Sequence, residues 1–332
     1  MAERSGADPT NPLIRARDAV WNPTAGSLRL LALLGVIGNA GIVATGGAVR
    51  VTESGLGCPE WPKCTGDSLV PTHSPEHAAM NMAIEFGNRM LTFLVLAVGV
   101  LVFVAAWRLR PRRRDVVWWA AAQPLSVVAQ AVIGGIVVLT ELHPASVALH
   151  FLISPALLVF CVALWVRTGE GDRPPHPLVA PLLRRAALVL AALCAAVLVA
   201  GTVVTGTGPH SGDAESRRWG FNIEDVTRVH SVLAWLTVAA TLVLIVAVHR
   251  AGAPAALRRR TLELLAVELA QGAVGYVQYF TGVPGPLVVL HMLGAALLWI
   301  AALRIFFATR DRGPVPTAAD PAEVPAQTPQ PA

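Results

Sequence analysis

The amino-acid sequence carries little charge. Only 14% of its 332 residues are Asp, Glu, Lys or Arg, whereas 54% are hydrophobic and the mean hydropathy is +0.57. A soluble domain of ordinary composition carries about 25% charged residues. The shortage therefore argues against a soluble protein and for an integral membrane protein. The formal net charge of +5 does not indicate nucleic-acid binding, because the arginines lie in short loops between apolar runs and form no face of their own.

The two ends of the sequence lack the features of a targeting signal or a packed domain. Residues 1–27 are polar and contain Pro and Asn, and no cleavable signal peptide is visible in them. The other end is Pro/Ala-rich from Gly313 onward. We therefore expect an N-terminal tail over 1–27 and a disordered tail over 309–332.

Eight apolar runs of roughly 20 residues lie between these tails. Each can cross about 30 Å of hydrocarbon, and each should be a helix because lipid offers no partner to backbone N–H and C=O groups. Ser74-Pro75-Glu76 predicts the start of the second helix, with a serine N-cap and a proline in the first turn. The runs are 28–49, 79–107, 116–139, 145–166, 186–204, 225–248, 262–280 and 287–307.

Arginine is concentrated in alternate loops. The loops after the second, fourth and sixth runs hold most of it, while the other loops hold only Arg50, Lys63, Arg217 and Arg218. The positive-inside rule therefore predicts that both termini are cytoplasmic. The loops expected to face outward are 50–78, 140–144, 205–224 and 281–286.

The two halves of the chain resemble each other. The segment AQAVIGGIVVLTELHPASVALH (129–150) aligns without a gap to AQGAVGYVQYFTGVPGPLVVLH (270–291), with His150 opposite His291. The match predicts an all-α integral membrane protein of eight transmembrane helices, arranged as two tandem four-helix bundles related by an internal pseudo-two-fold repeat. The alternative is chance similarity of helices rich in Gly, Val and Leu. The predicted domains are the N-tail 1–27, a first bundle 28–167, a cytoplasmic linker 168–185, a second bundle 186–308 and the tail 309–332.

Three histidines lie inside predicted helices. His150, His230 and His291 are each about five residues from the outer end, roughly 8 Å deep at 1.5 Å per residue. Intramembrane histidine is a functional hypothesis by default, although each could simply bond a neighbouring helix. Facing helices of a bundle can hold haem iron between two imidazoles, as His230 and His291 would. The first half offers His150 but has Asn88 where a second histidine is expected, which predicts an open face suited to chemistry.

Several motifs in order resemble the haem A synthase family of bacteria and mitochondria. They are GCPEWPKC in the first outer loop, IEFGNR on the second helix, VALHFLIS on the fourth, VTGTGPHSGD in the third outer loop, RVHSVLAW on the sixth and LHMLGA on the eighth. The resemblance covers about 28–308. It implies oxidation of the C8 methyl group of haem O to a formyl group through hydroxylated intermediates, with oxygen or water as the oxygen source, by a multi-pass protein of the cell membrane.

The resemblance also implies roles for individual residues. His230 and His291 would ligate a haem b that serves as electron-transfer cofactor, and His150 would face the substrate haem O. Many members have histidine where this chain has Asn88, so Asn88 is an uncertain contact to the substrate haem. An electron donor of unknown identity is implied, and pathway logic makes a haem O synthase a plausible partner.

Glu85 and Arg89 lie one helical turn apart within IEFGNR. The resemblance implies that Glu85 is catalytic, because a carboxylate beside the porphyrin can accept a proton, orient water or stabilise a developing cation. The alternative is that Glu85 and Arg89, at i and i+4, simply neutralise each other. Arg50, Arg89 and Arg228 lie near the outer side and are predicted to contact haem propionates.

The sequence has four cysteines. Cys58 and Cys64 share the first outer loop, where an oxidising compartment favours a disulfide whose role is either structural or redox. Cys161 and Cys194 are expected to be small core residues. Glu268 is expected to reach toward the cytoplasmic surface or to pair with one of Arg258 to Arg260, and we assign it no function.

Two other classes of membrane protein compete with an enzyme. A di-haem cytochrome b that carries electrons, for example from quinol, would expect a fourth histidine in place of Asn88 and would not need Glu85. A transporter built on the repeat would expect broken helices with polar residues at the midplane, whereas the polar residues here lie near the outer surface.

Overall fold

The computed structural model describes residues 21–72 and 78–315, and within them the chain forms eight helices and two very short strands. Each predicted apolar run is a helix, which confirms the all-helical fold. The predicted start of the second helix at Ser74-Pro75-Glu76 lies outside the described residues. In chain order the elements are α1 Ala25–Val51, α2 Ala79–Arg108, α3 Arg114–Leu139, α4 Pro144–Thr168, β1 His176–Pro177, α5 Pro181–Thr207, α6 Ile223–Arg250, α7 Ala255–Phe280, α8 Gly285–Phe307 and β2 Arg310–Asp311.

Local chemistry explains where several helices begin. Before α1, the Thr24 side chain accepts the Ser27 amide at 3.1 Å while the Ser27 hydroxyl accepts the Thr24 amide at 2.8 Å, which is a capping box. Before α6, the Asn222 side chain accepts two amides of the first turn. Helices α4 and α5 carry proline in the first turn, where the missing N–H has no intrahelical partner to lose.

Seven of the eight described helices are long and apolar enough to cross a membrane, so the chain is a multi-pass membrane protein. The exception is α7, which carries Arg258, Arg259 and Arg260 near its start and Glu263 and Glu268 further along. Many large apolar side chains on the other helices are exposed, for example Phe93 at 63% and Trp118 at 78%, as expected for a surface that faces lipid.

The helices pack in two rings. Each of α1 to α4 packs on the next, and α4 packs back on α1; α5 to α8 repeat this arrangement. Helix α8 joins the rings by packing on both α1 and α4, with Met292 of α8 against Gly47 of α1. Within each ring, α2 therefore lies diagonally opposite α4, and α6 lies diagonally opposite α8.

The turns after α3 and α7 have the same conformation. Glu141 and Leu142 have φ of 52° and 56°, and Gly282 and Val283 have φ of 78° and 59°. The Leu142 amide donates to the Val137 carbonyl at 3.0 Å, and the Val283 amide donates to the Gln278 carbonyl at 2.8 Å. Positive φ at two successive positions is uncommon without glycine, so the likeness of the two turns is specific. We call the end of the molecule that carries these turns the site end.

The opposite end is tied together by charged side chains. Arg113 bonds Asp172 at 2.7 Å, and Arg167, only 4% exposed, bonds Asp115 at 2.7 Å. Strand β2 in the expected disordered tail pairs antiparallel with β1 in the linker. The prediction of disorder is therefore wrong for 309–315, because those residues have backbone partners in the linker; residues 316–332 lie outside the described part of the chain.

Candidate functional site

Two histidines face each other in the second half of the chain. His230 on α6 and His291 on α8 have ring centres 6.4 Å apart, with 68° between the ring planes. His230 Nδ1 lies 3.1 Å from the Val197 carbonyl oxygen. Among the described residues, His291 Nδ1 is buried without a hydrogen-bond partner. The contact to Val197 orients the His230 ring and leaves its other nitrogen for a ligand.

The spacing of these two rings fits a metal held between them. Histidine nitrogen binds metals at about 2 Å, so a metal shared by two opposed rings would hold their centres about 6 Å apart. A porphyrin supplies the equatorial nitrogens of its iron, and two axial imidazoles complete the coordination. The residues present therefore fit a haem; ligation by His230 and His291 stays a prediction.

Each of the three predicted histidines packs against a glycine of the preceding helix. A Cβ at Gly134 or Gly201 would lie only 3.2 or 3.3 Å from the histidine Cε1, tight for a close-packed interior, whereas at Gly275 the 3.5 Å distance is an ordinary van der Waals contact. The small residue thus helps to set where the His150 and His230 rings lie. The pairs are Gly134–His150, Gly201–His230 and Gly275–His291.

The first half offers one histidine and one amide. His150 lies on α4, and its Nδ1 is buried without a hydrogen-bond partner in the described part of the chain. Asn88 lies on the diagonal helix α2, and the Thr45 hydroxyl of α1 is 2.7 Å from its Oδ1. The structure thus gives the two halves different polar groups at the diagonal positions.

Glu85 is a buried carboxylate at the site end of α2, with 6% of its surface exposed. Its Oε1 accepts two hydrogen bonds from Arg89, at 2.6 and 3.1 Å. Its Oε2 accepts the Cys58 amide at 2.6 Å. The ion pair with Arg89 therefore exists, as the alternative interpretation expected, but Glu85 also binds the loop between α1 and α2, which that interpretation did not include.

Arg89 uses all five of its N–H donors. Besides Glu85, it donates to the carbonyl oxygens of Cys58 at 2.9 Å, Glu60 at 3.1 Å and Lys63 at 2.9 Å. These contacts leave no guanidinium donor for a propionate in this arrangement. The propionate contact of Arg89 stays a prediction, and the structure gives this side chain a bridging position between α2 and the loop.

Cys58 and Cys64 form a disulfide and are fully buried. The segment between them, which we call the disulfide loop (58–64), covers the site end of α2 and reaches α3, where the Trp61 ring lies on Gly135. The adjacent residue Gly134 touches His150, so the disulfide loop and the first-half histidine contact neighbouring residues of α3. The predicted disulfide is confirmed.

The two other arginines predicted to contact propionates differ in surroundings. Arg50 at the end of α1 donates to the His210 carbonyl at 2.6 Å, and His210 Nε2 lies 2.8 Å from the Val283 carbonyl oxygen. This chain of contacts ties segments at the site end of both halves together. Arg228 is 72% exposed and pairs with Asp225 at 3.4 Å, so its side chain is free to turn toward a ligand.

Glu268 does not behave as expected. It is 6% exposed and accepts a hydrogen bond from the Thr241 hydroxyl at 2.7 Å, while its other oxygen has no partner among the described residues. Arg259 pairs with Glu263 instead. The prediction that Glu268 reaches the surface or pairs with Arg258 to Arg260 is therefore wrong, because α6 covers that face of α7. Cys161 and Cys194 are buried, as predicted, and neither forms a disulfide.

Comparison with known proteins agrees with this arrangement. The family described as cytochrome oxidase assembly protein (COX15-CtaA) matches residues 29–303. The chain belongs to the COX15-CtaA family. A relative from Rhizorhabdus wittichii named heme A synthase is 27% identical over 344 aligned positions, which cover 86% of this chain and 96% of that protein.

Higher identity is confined to shorter segments. Proteins named heme A synthase from Halalkalibacterium halodurans and Lysinibacillus sphaericus are 33% and 34% identical over 153 and 148 residues. These matches cover 46% and 44% of this chain and 49% and 46% of the relatives. The chain thus aligns with about half the length of these two relatives.

Some residues of the site were not found from the sequence. Thr45 and Trp61 were missed because nothing local marks a hydroxyl or an indole as a neighbour of a distant helix. Asn81 was also missed, although its spacing was visible: it lies four residues before Glu85 and eight before Arg89, on one face of a helix. Its side chain donates to the Glu53 carbonyl at 2.9 Å.

Proposed function

We propose that this protein is a haem A synthase that oxidises the C8 methyl group of haem O to a formyl group. The observation that carries the proposal is the pairing of a two-histidine arrangement, His230 and His291, with a first half that holds His150 and an amide. Membership of the COX15-CtaA family and relatives named heme A synthase support it.

We also propose that the chain is a duplicated bundle with domains 1–27, 28–167, 168–185, 186–308 and 309–332. Three likenesses support an internal pseudo-two-fold repeat: the aligned sequence segments, the matching turns after α3 and α7, and the contacts Gly134–His150 and Gly275–His291. In this proposal α7 crosses the membrane as the eighth span, with its buried polar side chains covered by neighbouring helices.

In the second half, His230 and His291 would hold haem b. A haem held by these two side chains would supply one-electron transfer. The buried rings, each set against a glycine, would keep the two nitrogens in place through a change of oxidation state.

In the first half, His150 would face the iron of haem O, and the other face would be left to small molecules because an amide is a poor iron ligand. Conversion of the methyl to the formyl group releases four electrons: R–CH₃ + H₂O → R–CHO + 4 H⁺ + 4 e⁻, or R–CH₃ + O₂ → R–CHO + H₂O. Glu85, buried at the site end, would accept a proton or stabilise positive charge that develops at the methyl carbon.

The remaining elements of the proposal concern location and partners. The arginine distribution supports a cell-membrane protein with both termini in the cytoplasm and the site end outside. Four released electrons need an acceptor when water is the oxygen source, so a redox partner is expected. A haem O synthase would supply the substrate.

The proposal is tested by co-expression with a haem O supply, followed by extraction and chromatography of the pigments. Wild-type protein should yield haem A. Glu85→Ala should retain the haem b spectrum but accumulate haem O. If the protein is instead a di-haem electron carrier, neither wild type nor Glu85→Ala should yield haem A, and both should retain haem b and haem O.

A further inference from the structure

Three side chains on one face of α2 follow the first outer loop along its length. Asn81, Glu85 and Arg89 are spaced four residues apart, which places them above one another on the helix. Asn81 bonds Glu53 before the disulfide, Glu85 bonds the Cys58 amide, and Arg89 bonds the carbonyls of Cys58, Glu60 and Lys63. Together these three side chains form hydrogen bonds with backbone groups of a loop that has little regular secondary structure.

Arg89 makes the largest share of these contacts. Its planar guanidinium has five donors in a fixed fork, and two of them go to Glu85 while three go to loop carbonyls. The side chain is 20% exposed, so these charge-assisted bonds form away from most of the solvent, where they are strong. A lysine would bring one nitrogen and could not serve the same three carbonyls and the carboxylate together.

The loop that Arg89 holds lies between the two sides of the first-half site. On one side it binds Glu85 through the Cys58 amide, and on the other Trp61 rests on Gly135 of α3, next to the glycine that touches His150. The second half has Ser231 after His230, where the first half has Arg89 after Asn88. The anchoring is therefore specific to the half that is proposed to take haem O.

We propose that Arg89 is a positioning residue that fixes the disulfide loop as the outer wall of the substrate pocket and orients Glu85 beneath it. The inference rests on the proposed function for the identity of the substrate, but the anchoring itself does not depend on it. Glu85 acts on the substrate, and Arg89 acts through Glu85 and the loop.

The chain offers a single-site test, because Lys63 is its only lysine. Endoproteinase Lys-C cuts after lysine, so in the full-length detergent-solubilised protein it reports only on the disulfide loop. The Cys58–Cys64 bond keeps the fragments joined until they are reduced, so gels run with and without reductant identify the cut. Cleavage tracks the open fraction of the loop when opening and closing are fast.

Arg89→Gln should raise the Lys-C rate at Lys63 by about tenfold or more, since hydrogen bonds to charged groups contribute strongly. Glu85→Gln should raise it much less, because Arg89 keeps its three carbonyl contacts. Arg217→Gln, which removes a charge from an exposed position in another outer loop, is the matched control and should leave the rate unchanged. An unchanged rate in Arg89→Gln overturns the proposal.

A second measurement separates positioning from general stability. With haem O as substrate, Arg89→Gln should raise KM by about tenfold, while the spectrum of the second-half haem stays that of wild type. If Arg89→Gln opens the loop but keeps the KM and kcat of wild-type protein, Arg89 has only a structural role and the positioning role is refuted. If wild-type protein makes no haem A, the proposed function fails, yet the Lys-C result still decides the anchoring.

Arg89→Lys covers the case in which Arg89→Gln does not fold. It keeps a positive charge beside Glu85 but loses the fork, so cleavage at Lys63 should still rise. Its additional lysine lies within α2, and a cut there would release fragments without reduction, which distinguishes it from a cut in the loop. Wild-type protection in a folded Arg89→Lys protein would contradict the proposal.

Discussion

The hydroxyl of Thr45 lies 2.7 Å from Asn88 Oδ1, and this hydrogen bond joins α1 to α2. Asn88 is the position at which the internal repeat predicts a counterpart of His230. The hydrogen bond occupies the oxygen atom of the Asn88 amide, and an amide is a poor iron ligand even without such a bond. The first-half haem should therefore be ligated on one face only, by His150.

Asn88→His should convert the first half to two-histidine coordination. We expect wild-type protein loaded with haem O to bind carbon monoxide at the first-half haem, whereas Asn88→His should show a six-coordinate, low-spin spectrum and lose carbon monoxide binding. Low-temperature optical and paramagnetic resonance spectra count the two kinds of haem per chain.

Thr45→Val is the control for that substitution. It removes the hydroxyl that contacts Asn88 but adds no ligand, so carbon monoxide binding should remain. The interpretation is wrong if wild-type protein binds no carbon monoxide, or if Asn88→His binds as much of it as wild type.

Replacement of either second-half histidine should remove haem b. The ring centres of His230 and His291 are 6.4 Å apart, and we propose both as haem ligands, so His230→Ala or His291→Ala would leave only one. The absorption of the two-histidine haem should be lost, as measured in purified protein by its reduced-minus-oxidised spectrum. His249→Ala, at the far end of α6 and exposed, is the matched control; full haem b in both His230→Ala and His291→Ala would refute the ligand assignment.

Much of the fold follows from hydropathy alone. Each apolar run is a helix because backbone groups in lipid must be satisfied within the segment. The observed helix boundaries differ from the predicted ones where polar residues extend a helix beyond its apolar run. Helix α7, for example, begins at Ala255 instead of near 262. A search for apolar runs misses this start because Arg258, Arg259 and Arg260 interrupt the apolar pattern.

The candidate site was predicted less completely than the fold. His230 and His291 could be paired because they lie at the same depth on two helices of the same half, but contacts between distant parts of the chain leave no pattern in the local sequence. The anchoring of the disulfide loop by Arg89 is such a case: its three carbonyl partners are backbone atoms 26 to 31 residues away, and any residue could supply them. The pairing of Glu268 with Thr241 is another.

Removal of the disulfide should have a modest effect on stability and a larger one on the loop. The bond closes a short loop, with a sequence separation of six, and short loops give an entropic stabilisation of only about 2 kcal/mol. Cys58→Ala with Cys64→Ala should lower the midpoint of thermal unfolding by a few degrees and speed Lys-C cleavage at Lys63.

The same double substitution separates a structural from a redox role. If the disulfide is structural, the loss of haem A formation should follow the degree of loop opening measured with Lys-C. Complete loss of haem A formation with a loop that stays closed would favour electron transfer through the cysteines and contradict a purely structural role.

Thr241→Val should destabilise the second half without touching the haem site. The Thr241 hydroxyl provides the hydrogen bond to Glu268 Oε1, and Oε2 has no partner among the described residues. Valine has nearly the same shape but no donor, so the buried carboxyl would lose its contact at a cost of about 1–3 kcal/mol. Thr241→Ser keeps the hydroxyl and loses only a methyl group, so it should destabilise less. Thermal unfolding of both variants, monitored by helical circular dichroism, gives the comparison. If Thr241→Val is as stable as wild type, the prediction is wrong and Glu268 accepts a hydrogen bond from another donor in that variant.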